Sequence, residues 1–192
     1  RGALVVGGGV AMPDRSYWAR CDNIATLAPF LTGQPAGIVQ HLPSLNLSIR
    51  RDLFQRIGGF DPTFPYAAGE DTDLSFRLRR EGIKLCFAPQ AIVAHHTNRT
   101  TIGGVWRHLA VHGIGYHRVQ AKNQAMLGRS LRVEWAVKRP ALAAAAALGF
   151  AMLDILPMYV GSPALRRELD ALPGVLFARL GWYAGLRLRH ES

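Results

Sequence analysis

Three acids stand within four residues in Glu70-Asp71-Thr72-Asp73, directly after Gly69. A carboxylate pair at such a point can take a proton from a hydroxyl and orient it, which is the work of a general base. The plain alternative is helix capping, because first-turn acids meet unsatisfied amides and the positive end of the helix dipole. Capping needs one good acceptor, however, and Glu70 beside Asp71 repels it. The preceding loop is rich in glycine and carries Phe60, Phe64 and Tyr66, which suits a binding wall better than a plain turn. His95-His96 closes a strand-like run, where an imidazole serves as a backbone partner or as a metal ligand. His108 and His112 are one helical turn apart but lack a cysteine or carboxylate at matching zinc spacing.

The elements that must position these groups follow from periodicity. Leu74 and Leu78 mark the buried face of an amphipathic helix that begins at the acids. Asp73 and Arg77 form an acid-before-base pair expected on its exposed side. Gly82 is placed for a left-handed cap. Upstream, residues 3–6 read as a strand with Gly7-Gly8-Gly9 as its exit. No Lys-Ser/Thr follows those glycines, so a phosphate loop is not expected. A helix is expected from Pro13-Asp14, a short strand at Ile38-Val39, and a short helix from Asp52 through Ile57. Residues 45–49 alternate as a half-buried strand that turns Asn46 and Ser48 to one face, with Arg50 and Arg51 after it. Residues 84–87 and 91–94 read as two strands split by Pro89, and residues 102–119 as a helix.

Hydrophobic content of 49% and charged content of 19% exclude a disordered chain. Twelve of the 23 Lys and Arg follow Thr101, against 5 of the 13 acids, so this part carries +7 of the formal +10. It also contains two apolar stretches, 141–153 and 172–186. The second has Arg179 inside it and Arg187 and Arg189 after it. Basic and apolar together favour an anionic membrane surface, with the arginines reaching head groups, over a nucleic acid. No nucleic-acid partner is expected. The other reading of these stretches is an ordinary helical hairpin. Cys21 and Cys86 read as buried cytosolic thiols, not a disulfide.

Several motifs in order then resemble the acceptor half of an inverting family 2 glycosyltransferase. They are Asn46-Leu47-Ser48-Ile49-Arg50-Arg51, Gly58-Gly59-Phe60-Asp61, Gly69-Glu70-Asp71-Thr72-Asp73-Leu74, Arg77-Leu78-Arg79 and Pro89-x-Ala91-x-Val93-x-His95. The resemblance runs over residues 3–119, and the order and spacing of the motifs make it specific. It implies an α/β class chain with a partial GT-A fold, a Rossmann-like sandwich, followed by C-terminal apolar and basic helices. It implies a nucleotide-sugar donor, a saccharide or lipid-linked acceptor, and a divalent metal, Mg or Mn. By the same resemblance Asp71 is the catalytic base with Glu70 beside it. Asn46, Arg50, Arg51, Gly69 and Asp73 contact substrate, and His95, with His96 less well aligned, holds the metal.

The family's nucleotide-binding half, with its Asp-x-Asp motif, is expected before Ala3. Asp71-Thr72-Asp73 has that spacing but occupies the base position. The sequence is therefore expected to be the C-terminal portion of a longer enzyme. Residues 1–120 would form the acceptor side, and residues 121–192 a helical region associated with the cytoplasmic face of a membrane. The competing expectation is a non-catalytic membrane-attached module that keeps the fold.

Overall fold

Residues 2–128 and 130–188 are described in a computed structural model, so Arg1 and Arg189 lie outside it. In chain order the elements are β1 (Val5–Ala11), α1 (Tyr17–Leu27), β2 (Gly37–Val39), β3 (Leu47–Ile49), α2 (Arg51–Arg56) and α3 (Glu70–Arg80). After these come β4 (Leu85–Ala94), α4 (Ile102–Leu127), α5 (Leu131–Lys138), α6 (Pro140–Gly161) and α7 (Leu172–Arg187). The strands form one mixed sheet in the order β2-β4-β1-β3. The central pair, β1 and β4, is parallel, and both outer pairings are antiparallel. The result is an α/β chain with a partial GT-A fold.

Four local expectations are corrected here. The glycines do not end β1, which runs on to Ala11. They are needed inside the strand because neighbouring groups occupy the space of their side chains. A Cβ on Gly7 would meet Leu42, one on Gly8 the Ala91 carbonyl and Asn46, and one on Gly9 the Pro89 carbonyl. Residues 84–87 and 91–94 are not two strands but one, β4, which bulges against β1 between Gly8 and Gly9. Pro89 has no N–H for the ladder, so β4 is forced out of register there and rejoins with Ile92 opposite Gly9. The third correction concerns residues 45–49, where a 3-10 turn (Ser44–Asn46) precedes a strand of only three residues. Helix α1 also starts later than Pro13-Asp14, because Asp14 Oδ1 accepts a 2.8 Å bond from Ser16 N and holds the chain in a turn first.

The main core lies between the sheet and α1, α2 and α3. Val5, Val10, Ile24, Leu42, Leu53, Leu74, Leu78 and Leu85 are all fully enclosed there. Gly82, at φ 75°, ends α3 as the sequence predicts. The same core takes in Ile155 and Tyr159 of α6 and Val175 of α7. A second cluster joins Val105 and Leu109 of α4 to Trp182, Tyr183 and Leu186 of α7. Helices α4 and α7 approach at backbone distance. A Cβ on Gly113 would strike the Trp182 carbonyl, and one on Gly185 the Ala110 carbonyl.

These contacts change the expected role of the C-terminal helices. The apolar stretch at 172–186 is buried protein core, and Arg179 does not reach outward. Its guanidinium pairs with Asp154 on α6 at 2.6 Å and lies 3.9 Å over the Trp182 ring. Residue 120, the boundary drawn from sequence, falls inside α4. Among the described helices α6 keeps a broad apolar surface, with Leu148, Leu153 and Val160 exposed.

Candidate active site

Gly69 forms the N-cap of α3 at φ 97°, a left-handed conformation that glycine adopts without a Cβ penalty. Any larger residue would also run into Val119 of α4 and crowd Phe64. The chain therefore turns tightly and delivers Glu70 and Asp71 into a cavity of about 610 Å³ between α3, α4 and the β4 exit. Asp71 Oδ1 accepts from Thr72 N at 2.7 Å, while Oδ2 accepts from Ser44 N at 3.2 Å. This fixes the carboxylate at the cavity wall and leaves lone pairs for a further donor. Glu70 Oε2 is enclosed without a hydrogen-bond partner. Burial pushes its carboxyl above the usual range, and the charge of Asp71 adds to the effect.

A polar network faces these acids. His95 extends the β1–β4 ladder, its N–H donating to the Ala11 carbonyl at 2.9 Å. Its Nδ1 is 2.7 Å from Asn23 Oδ1, which leaves Nε2 free for another partner. Asp22 is fully enclosed on α1; its Oδ1 lies 2.6 Å from His108 Nδ1 and its Oδ2 accepts from Thr97 Oγ at 3.0 Å. His108 Nε2 in turn stands 3.1 Å from His112 Nε2. Burial, reinforced by His108, lowers His112 to about 4, so its ring stays neutral near neutral pH. A carboxylate–imidazole–imidazole chain thus runs from α1 across α4 beside the cavity. The apolar walls are Phe30, Phe76, Tyr116 and Trp182.

Of the residues that the family resemblance marks as site residues, Gly69, Glu70, Asp71 and His95 converge on this cavity. The others are elsewhere. Asn46 Nδ2 donates to the carbonyls of Gly9 and Ala91, at 3.0 and 2.8 Å, and closes the bulge of β4. Arg50 is exposed and paired with Asp52 at 2.5 Å, and Arg51 and His96 are exposed outside the cavity lining. Asp73 is not on the exposed side of α3: it is buried, bonded to Arg77 at 2.8 Å and to Asn123 at 2.9 Å. The loop aromatics also differ from expectation. Phe60 packs edge-on against Phe54, and Phe64 lies under Lys122, so neither lines the cavity. Asp22 and Asn23 are what sequence reasoning missed, and His108 and His112, weighed there only as a zinc pair, join them in this network. The available signal was the adjacent Asp22-Asn23 between Cys21 and Ile24 of a helix whose apolar residues mark it for the core.

The class of protein to which this sheet and acid pair belong is given by sequence comparison. The model of the glycosyl transferase family group 2 matches residues 27–184. The chain belongs to that family. It is 39% identical over 61 residues to the pre-mycofactocin glycosyltransferase of Mycobacterium tuberculosis, covering 32% of this chain and 13% of the relative. It is 38% identical over 66 residues to the N-acetylglucosaminyl-diphospho-decaprenol L-rhamnosyltransferase of the same organism, covering 34% of this chain and 21% of that protein. The matched segments thus span well under a third of these relatives. No solved structure matches this chain.

Proposed function

We propose that this chain is the acceptor-side portion of an inverting glycosyltransferase in which Asp71 is the general base. The observation that carries the reading is the placement of Asp71 at the cavity wall beside the unsatisfied Glu70 Oε2. In this chemistry the acceptor oxygen bonds to the anomeric carbon of a nucleotide-sugar while the bond to the leaving diphosphate breaks. The hydroxyl proton passes to Asp71. Glu70 accepts a hydrogen bond from the sugar acceptor and orients it, which would satisfy its enclosed oxygen.

Family chemistry implies a divalent cation, Mg or Mn. Among the described residues no three His, Cys, Asp or Glu side chains gather as a metal centre. His95 nevertheless fits as a single ligand, because Asn23 engages Nδ1 and leaves Nε2 available. A bound cation would supply positive charge for the leaving diphosphate.

A lipid-linked acceptor and attachment at the cytoplasmic face of a membrane belong to the same proposal. One curated relative is named for a diphospho-decaprenol substrate. Helix α6 is the one described helix long and apolar enough to cross a membrane, and only 17% of its segment Ala144–Gly161 is buried. At about 1.5 Å per residue its 22 residues extend roughly 33 Å.

The decisive experiment is Asp71→Asn in the full-length enzyme. Turnover falls about 10²–10⁴-fold while donor affinity and thermal stability stay near wild type. Glu70→Gln gives a smaller loss. A variant that keeps wild-type turnover removes Asp71 from the role of base.

A further inference from the structure

A second cleft, of about 520 Å³, adjoins the cavity and shares Ala67, Arg99 and His108 with it. Its charged lining is entirely cationic: Arg99 and Arg107 face it, and no carboxylate does among the described residues. Between the two arginines in sequence stands the Gly103-Gly104 pair at the start of α4. An ideal Cβ on Gly103 would lie 3.5 Å from the Arg107 guanidinium, and one on Gly104 would lie 3.8 Å from Arg99 Cα. Both are ordinary van der Waals distances, so these glycines border the arginines without being required there.

The two charges are unequally compensated. Arg99 stands 3.8 Å from the buried Asp22 and 3.4 Å from Thr97 Oγ, which hold its guanidinium in place. Asp22 is already shared with His108 and Thr97. Arg107 is exposed and forms no ion pair among the described residues. A fixed guanidinium beside an uncompensated one, in a cleft with Asn98 on its wall, matches an anion with several acceptor oxygens.

We propose that Arg99 and Arg107 bind a diphosphate carried on the acceptor. This rests on the acceptor-side reading of the cavity. The choice of acceptor over donor follows from in-line displacement. The base and the attacking oxygen lie on one side of the anomeric carbon, and the leaving diphosphate on the other. The cleft opens beside Ala67, in the loop that leads into α3 and Asp71, and so adjoins the base. An acceptor sugar at Asp71 would place its own anomeric substituent toward the arginines.

Two measurements test this. The 192-residue chain is titrated with inorganic pyrophosphate, followed by calorimetry across a salt series. Wild type binds, affinity falls as salt rises, and Arg107→Gln weakens binding about ten-fold or more. Arg107 is the deciding position because its side chain is exposed and has no ion pair among the described residues, so it can be replaced without disturbing the fold. In the full-length enzyme Arg107→Gln raises KM about ten-fold for a diphosphate-linked acceptor. KM for a phosphate-free glycoside of the same sugar, and for the donor, stays unchanged. A rise in donor KM instead would assign the cleft to the leaving diphosphate and overturn the proposal. Equal losses on both acceptors, or unaltered pyrophosphate binding by Arg107→Gln, would also overturn it. An enzyme that transfers sugar to no acceptor sinks the function proposed above, and the pyrophosphate titration still decides whether the arginines bind.

Discussion

Asp73 accepts a hydrogen bond from Asn123 across α3 and α4, at 2.9 Å and away from water. Asn123 sits at a kink in α4, with φ −125° and ψ 23°, and Arg80 bonds the same side chain. The other Asp73 oxygen holds Arg77, which donates to the carbonyls of Ile57 and Gly59 at 2.8 and 2.6 Å. One carboxylate thereby ties α3 to α4 and to the glycine loop in front of the site. Two neighbouring acids, Asp71 and Asp73, consequently have different work.

Asp73→Asn should lower stability by about 2–4 kcal/mol, since it leaves Arg77 without its buried charge partner. Denaturant unfolding reads the loss directly. Any fall in turnover should track the unfolded fraction and recover on cooling. A variant as stable as wild type would show that the contact with Arg77 is no more than a surface pair.

Gly185→Ala should destabilise by about 1–3 kcal/mol, because the added methyl must displace the Ala110 backbone on α4. A chain ending at Gln120 should aggregate instead of becoming a soluble domain, as it would lose α7 from the apolar faces of α1 and α4. Denaturant unfolding of Gly185→Ala and light scattering on the truncated chain check the two outcomes. A monodisperse truncated chain would mean that α7 is dispensable to the core.

Acid should weaken the fold through His112. Its folded value of about 4 lies below the unperturbed 6.5, lowered first by burial and then by His108; Asp71 and Asp22 oppose the shift and Arg99 reinforces it. The stabilisation is therefore fully present above about pH 6.5 and lost as pH falls toward 4, since the unfolded chain takes up the proton first. His41 and His95 are also lowered, chiefly by burial, and act in the same direction. Glu70 acts with the opposite sign, because burial raises its carboxyl and favours the folded state in acid. Chemical unfolding at about pH 7.5 and about pH 5 should show a loss on the order of a few kcal/mol. His112→Gln should flatten that dependence, and an unchanged slope would exclude His112 as its source.

The outward face of α6 should govern membrane attachment. Replacing Leu148, Leu153 and Val160 with Gln leaves the core untouched, because all three are exposed. The altered chain should remain folded by circular dichroism and no longer float with vesicles containing anionic lipid. Flotation equal to that of wild type would place the attachment elsewhere.

Local chemistry made part of this protein legible from sequence. The acids after Gly69, the Leu74–Leu78 face and the Gly82 stop depend on neighbours within a turn or two, and α3 forms as those residues dictate. The order of motifs likewise pointed to the family, and four of the residues it marked meet in one cavity. What local spacing could not carry was any contact made across the chain. The glycines of β1 looked like a loop because Leu42, Asn46 and the bulge of β4 that fill their side-chain space are distant in sequence. Asp73 looked exposed because Asn123, which covers it, is fifty residues away. Arg179 looked like a membrane contact because Asp154, its partner, lies on another helix. Burial and pairing are properties of the assembled fold, so only tertiary packing could decide which polar residues serve the site and which hold the elements together.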